Sequence, residues 1–184
     1  RVYPVTETVQ TDGICTHTFT PAPDLSATQA DEIERLALRI AAELDVTGIL
    51  AVELMQRADG TVVVNELAMR PHNTGHWSID GAHTSQFENH LRAVADLPLG
   101  PTDARQPRAA MVNVLGGARD DLLAASAEVL AAEPRARVQL YGKSVVPGRK
   151  VGHVTVVGDD AADVRARAQA AADHLMGRDD SEGQ

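Results

Sequence analysis

Two apolar, strand-like runs meet at a single turn dipeptide in the middle of the chain. "GILAVELMQR" leads into Asp59-Gly60 and "TVVVNELA" leads out of it. Asp-Gly between runs of this kind is the strongest short-range signal for a β-hairpin, so 48–57 and 61–68 are expected to pair as antiparallel strands. Each strand also carries a glutamate. A two-residue type I′ turn, the favoured connection for this dipeptide, sets Ala58 against Thr61 and Glu53 against Glu66. Directly opposed residues have Cβ atoms about 4.5–5.5 Å apart, and like charges placed so are destabilising. Val52, Leu54, Val64 and Leu67 flank them with apolar surface. A shared proton would relieve the repulsion. So would a divalent cation, and two carboxylates without neighbouring cysteine or paired histidine suit Mg²⁺ or Mn²⁺. A register change of one residue would instead send the two glutamates to opposite faces.

Upstream, 2–10 and 14–20 read as strands about Asp12-Gly13. After the Pro-rich "TPAPDLS", Ser26 and Gln29 form a capping box at a helix start. Ile33, Leu36, Ala37, Ile40, Ala41 and Leu44 recur at helical spacing, predicting one buried face, and Gly48 is the expected stop. A short helix is expected over 86–95. "LPLGPTDARQP" then reads as a boundary. Beyond it come a strand (109–115), a helix (120–132), two strands (138–141 and 151–157) and a last helix (160–176), with a tail expected to be disordered. The expected division is 1–100, 101–177 and a tail of 178–184.

Bulk properties exclude several classes. A net charge of −9 argues against wide nucleic-acid or anionic-membrane binding, so any anionic ligand needs a local cluster of cations. The longest apolar runs fall well short of the roughly 20 residues that a membrane span needs. "RVYPVTETVQ" has no apolar signal-peptide core. The single Cys15 excludes an internal disulfide and fits a reducing, cytoplasmic setting. A strand at the first residue, with arginine rather than methionine there, leads to the expectation of a piece of a longer protein.

Two polar clusters stand out. In "VNELAMRPHNTGH", Arg70, His72 and Asn73 follow Glu66 within seven residues. A guanidinium fork suits carboxylate, bicarbonate or phosphate, and His72 can hydrogen-bond a substrate or move a proton. The plainer reading of Arg70 is a salt bridge to one of the glutamates. His76 and His83 read as structural, and a zinc site at His72 and His76 is disfavoured because Pro71, Asn73 and Gly75 break the helix which that spacing needs. In "YGKSVVPGRK", Lys143, Arg149 and Lys150 sit among Gly142, Pro147 and Gly148. This is either a phosphate clamp or a solvated basic turn.

Together "YPVTETVQTDG", "GILAVELM", "VNELAMRPHNTGHWSIDGAHTSQFENHLRAVADLPLG" and "LYGKSVVPGRKVGHV" resemble the N5-carboxyaminoimidazole ribonucleotide synthetases, an ATP-grasp family of purine biosynthesis. The resemblance runs in order along nearly the whole chain, and 65–100 is its most specific part. It implies an α+β fold: the C-terminal lobe of an ATP-grasp domain, mostly antiparallel sheet with helices, followed by a small α/β C-terminal domain. It implies an ATP-dependent ligase that joins bicarbonate to the amine of 5-aminoimidazole ribonucleotide through carboxyphosphate, as a cytoplasmic homodimer. In those terms Glu53 and Glu66 bind Mg²⁺ or Mn²⁺, and Asn65 and Glu66 bind ATP. Arg70, His72 and Asn73 hold bicarbonate and the reacting end of the ribonucleotide, and Lys143 and Arg149 hold its 5′-phosphate.

Two positions depart from the pattern. Ala68 stands where many ATP-grasp enzymes carry an asparagine, and Gln10 where many relatives carry histidine. The nucleotide-fold domain and first part of the ATP-grasp region are not in the sequence, so the chain alone is expected to lack turnover. The rival readings are another ATP-grasp ligase, or a non-catalytic metal- or phosphate-binding module.

Overall fold

The computed structural model describes residues 1–178. The expected disorder of 178–184 therefore falls, but for Arg178, outside the described residues. In chain order the elements are β1 (Glu7–Thr11), β2 (Ile14–Thr20), α1 (Ala27–Glu43), β3 (Ala51–Gln56), β4 (Val62–Ala68), a 3₁₀ turn (Asn73–Gly75), α2 (Ser78–Gly81), α3 (Gln86–Val94), β5 (Arg108–Leu115), α4 (Leu122–Ala132), β6 (Arg137–Leu140), β7 (Lys150–Gly158) and α5 (Ala161–Met176). The class is α+β, and every strand pair is antiparallel.

The chain forms two compact units: 1–6 with 22–105, and 7–21 with 106–184. A single cut near Gly100 does not describe this division, because the β1–β2 hairpin groups with the C-terminal residues. β2 pairs with β5, and the five-stranded sheet runs β1-β2-β5-β7-β6. The core of this unit lies between one sheet face and the helices α4 and α5. Val112, Val114, Val154 and Val156 meet Ala125, Val129, Val164, Ala168 and Leu175, all buried. Small alanines on α5 let that helix lie close to the strands. Arg167 of α5 adds a bidentate pair to Glu133, at 2.6 and 2.9 Å.

The first strand is shorter than its sequence suggests. Val2–Thr6 leaves the expected strand because Tyr3 is anchored elsewhere. Its hydroxyl donates to the Thr84 carbonyl and accepts from Asn89 Nδ2, both at 2.9 Å, and its ring meets Trp77 edge-on. Burial raises the Tyr3 pKa above its ordinary value.

In α1 the Ser26–Gln29 capping box is present. The stop is not Gly48 but Asp45, in the left-handed region at φ 47°. Asp45 and Val46 return their amides to Ala42 and Ala41, closing a Schellman motif. The predicted apolar face is only half covered. Ile33, Leu36, Ala37, Ile40 and Ala41 are partly buried, Leu44 is exposed, and no residue of the helix is fully buried.

Candidate functional site

The β3–β4 hairpin brings Glu53 opposite Glu66, but not through the turn that the dipeptide predicts. Asp12-Gly13 makes a two-residue turn, with both residues at positive φ (51° and 77°). At Asp59-Gly60 only Gly60 is at positive φ, 84°. Arg57 donates to the Thr61 carbonyl and Gly60 to that of Arg57, so the loop has three residues, Ala58 to Gly60. The Asp59 carboxylate accepts from the Thr61 amide at 2.9 Å, a local bond that favours this turn and holds its carboxyl below the ordinary range.

A three-residue loop pairs Gln56 with Val62, Met55 with Val63 and Leu54 with Val64. Continued unchanged, that register would set Glu53 against Asn65 and turn Glu66 to the other face. A β-bulge beyond Leu54 restores the pairing. Asn65 is the extra residue, so Asn65 and Glu66 together oppose Glu53. Bulges re-aim side chains in this way, and Asn65 Nδ2 donates to Glu53 Oε2 at 3.3 Å.

His72 completes the group. Its Nε2 lies 3.1 Å from Glu53 Oε1, and the ring is largely buried. Among the described residues, Glu53, Glu66 and His72 are the one group of three or more acidic, histidine or cysteine side chains whose ligand atoms lie within 4.8 Å of one another. Glu66 is exposed and Glu53 half-buried, so the site is wetter than its apolar flanks imply; Val64 and Leu67 are exposed. The donor set, two carboxylates and one imidazole, fits a divalent cation.

A residue with no role in the sequence reading holds this arrangement in place. Gln86, at the start of α3, is buried. Its Oε1 accepts from the His72 amide at 2.9 Å, and its Nε2 donates to the His72 carbonyl at 2.7 Å and meets His76 Nδ1 at 2.9 Å. Ser78 Oγ accepts from the Gln86 amide and donates to the Gly75 carbonyl. Gly75 is required here, since a Cβ would stand 2.4 Å from Gln86 Oε1. The expected plain loop is thus a folded knot containing the 3₁₀ turn and α2. The S-x-x-E pattern of Ser85 and Glu88, which caps α3, was the available signal that Gln86 begins a helix.

Arg70 is exposed, and its Nη1 donates to the Pro71 carbonyl at 3.3 Å. It makes no ion pair with either glutamate, so the salt-bridge reading fails. Asn73 opens the 3₁₀ turn beside His72.

In the other unit, Lys143 and Arg149 lie on an exposed loop between β6 and β7. Gly142 and Gly148 take positive φ, 65° and 75°. Lys143 Nζ lies 5.3 Å from the Tyr141 ring centre, and Arg149 Nη1 donates to Ser144 Oγ at 3.0 Å. Neither cation is ion-paired among the described residues. The loop base is fixed against Gly116, whose amide donates to the Arg149 carbonyl and where a Cβ would collide with the Val146 carbonyl. Burial pushes the Tyr141 hydroxyl up to about 12, and its oxygen lies 2.7 Å from His153 Nδ1.

Residues 1–87, which include this bulged hairpin, match the ATP-grasp domain family. Residues 109–167 match the phosphoribosylaminoimidazole carboxylase C-terminal domain. The chain belongs to the N5-carboxyaminoimidazole ribonucleotide synthetase family. It is 53% identical to the N5-carboxyaminoimidazole ribonucleotide synthase of Mycobacterium bovis, over 94% of this chain and 41% of that protein. The N5-carboxyaminoimidazole ribonucleotide synthetase structure from Thermus thermophilus superposes with a TM-score of 0.81 at 43% identity, over 95% of this chain and 46% of that one. The synthase from Aspergillus clavatus, solved with ADP and 5-aminoimidazole ribonucleotide, gives a TM-score of 0.84 at 36% identity, over 94% and 46%. The chain thus spans less than half the length of these relatives. Among the described residues, no helix is long and apolar enough to cross a membrane.

Proposed function

We propose that this chain supplies the cation-binding and ribonucleotide-binding parts of an ATP-dependent ligase that carboxylates the amine of 5-aminoimidazole ribonucleotide with bicarbonate. The observation that carries the reading is the gathering of Glu53, Glu66 and His72 by a bulge, in residues that match an ATP-grasp domain. Glu53 and Glu66 hold Mg²⁺ or Mn²⁺, which neutralises charge on the nucleotide phosphates. Asn65 and Glu66 face the nucleotide. Arg70, His72 and Asn73, on the knot that Gln86 fixes, form the reacting end. The exposed Arg70 guanidinium has no carboxylate partner among the described residues and is available to bicarbonate. Activating bicarbonate as carboxyphosphate brings anions together, so fixed cations at this end stabilise the developing charge.

Lys143 and Arg149 hold the ribonucleotide 5′-phosphate, supported by their lack of acidic partners among the described residues and by the two left-handed glycines that shape the loop. Residues 1–100 and 101–177 are the functional division, and the two family matches, 1–87 and 109–167, support it. A cytoplasmic homodimer completes the proposal.

The test uses the protein at the full length of its relatives. Phosphate release from ATP should require both bicarbonate and the ribonucleotide, and Glu66→Gln should remove most of it at ordinary Mg²⁺. Turnover without bicarbonate would point to another ATP-grasp ligase. Cation binding without any turnover would point to a binding module.

A further inference from the structure

We infer that Tyr141 is a positioning residue for Lys143: the face of its ring holds the ammonium in place ahead of phosphate binding. This rests on the reading of the β6–β7 loop as the phosphate site, proposed above, and adds a residue to that site.

The first argument is that the ring itself is fixed. Tyr141 directly follows β6, and its amide donates to the Val151 carbonyl at 2.9 Å. Its hydroxyl oxygen lies 2.7 Å from Nδ1 of His153, which is fully buried. Both partners lie on β7, two residues apart, so backbone and side chain are tied to one strand. Burial pushes the hydroxyl up to about 12, which keeps the phenol neutral at ordinary pH.

The second argument is the path of the chain. Gly142 takes φ 65°, in the left-handed region that glycine adopts without a Cβ penalty. A Cβ there would meet nothing within 4 Å, so the backbone conformation and not crowding calls for glycine. The turn brings Lys143 back over the ring two residues before it, with Nζ 5.3 Å from the ring centre. That lies inside the reach of a cation–π contact, about 6 Å.

The third argument is the kind of partner. A carboxylate would hold the ammonium more firmly but would cancel the charge that a phosphate needs. A ring face attracts the cation through its quadrupole and leaves the charge in place. Arg149 is held in the same spirit, by the neutral Ser144 hydroxyl at 3.0 Å. A lysine side chain in water samples many rotamers and loses that freedom on binding. Holding it beforehand removes part of this cost, which is how preorganisation raises affinity. The ring occupies one side of the ammonium, and N–H donors on the other side remain for phosphate oxygens.

The test is the Kd of 5-aminoimidazole ribonucleotide, by isothermal titration calorimetry without ATP, in the protein at the full length of its relatives. Position 141 carries phenylalanine in the reference protein and phenylalanine with one, two or three ring fluorines in the others. Fluorine drains charge from the ring face and barely alters its size, so packing is kept while the cation–π contact fades. Kd should rise with each fluorine, by about 2- to 5-fold over the series. Lys143→Met should raise Kd roughly 10- to 150-fold and flatten the series. A flat or falling series beside a large Lys143→Met effect would overturn the role of Tyr141 and leave the phosphate site standing. So would a slope that persists in Lys143→Met, since the ring would then act on the ligand directly. Loss of binding already in Tyr141→Phe would show that the hydroxyl, not the ring face, decides, and would also overturn it. No effect of Lys143→Met would overturn both the site and the inference. A second measurement needs no variant. In the unsubstituted protein the Lys143 ε-methylene protons should resonate upfield of a free lysine because of the ring current, and an unshifted signal would refute the contact.

Discussion

Replacing Gln86 by methionine tests whether one buried side chain sets the geometry of the candidate site. Methionine matches glutamine in length and flexibility, so the change removes polar contacts with little change of volume. It strips partners from the His72 amide, the His72 carbonyl and His76 Nδ1. A buried polar group left without a partner costs about 1–3 kcal/mol. The knot is only partly covered, and water can reach some of these groups once it loosens. The net cost is therefore about 2 kcal/mol, not the sum of three full penalties. That corresponds to roughly a 30-fold change in the opening equilibrium. The assay is amide hydrogen exchange, read at His72, whose N–H is bonded to Gln86 Oε1. Its protection should fall roughly 30-fold in Gln86→Met, while amides of β5 and β7 in the other unit keep theirs. A change below about threefold at His72 in a folded variant would show that the knot stands without Gln86, and the reasoning would be wrong.

In the protein at the full length of its relatives, Arg149→Ala should raise KM for the ribonucleotide roughly 10- to 150-fold, the equivalent of one charge-assisted hydrogen bond. KM for ATP should change little, and steady-state kinetics with each substrate varied in turn would expose the reverse pattern. Glu133 and Arg167 give a pH-dependent term. The Arg167 guanidinium holds the Glu133 carboxyl below the ordinary carboxylate range, so the stabilisation is complete above the unfolded-state value and is lost as pH falls through the depressed one. Glu133→Gln should cost about 1 kcal/mol at pH 7 and progressively less in acid, by urea denaturation; a difference that stays constant down to about pH 2 would refute it.

The order of strands and helices and the capping box at Ser26 were legible in the sequence, because each depends on local chemistry: apolar periodicity, turn dipeptides and side chains that bond their own backbone, while the α+β class came with the family resemblance. The resemblance of 65–100 to one ligase family was legible too. The pairing of Glu53 with Glu66 was anticipated, yet by arithmetic that the structure does not follow. A three-residue turn displaces the register and the bulge at Asn65 returns it, and the two irregularities cancel. No single-strand pattern reveals such a cancellation, since a bulge is set by the partner strand. Tertiary structure alone decided that His72 comes to rest on Glu53, through a buried Gln86 fourteen residues further along the chain. It also decided that 7–21 joins the C-terminal sheet. Sheet edges and buried polar contacts are long-range choices: β2 pairs with β5, and the Asn113 side chain donates to the Cys15 carbonyl 98 residues back along the chain, and spacing along the chain carries no record of that proximity in space.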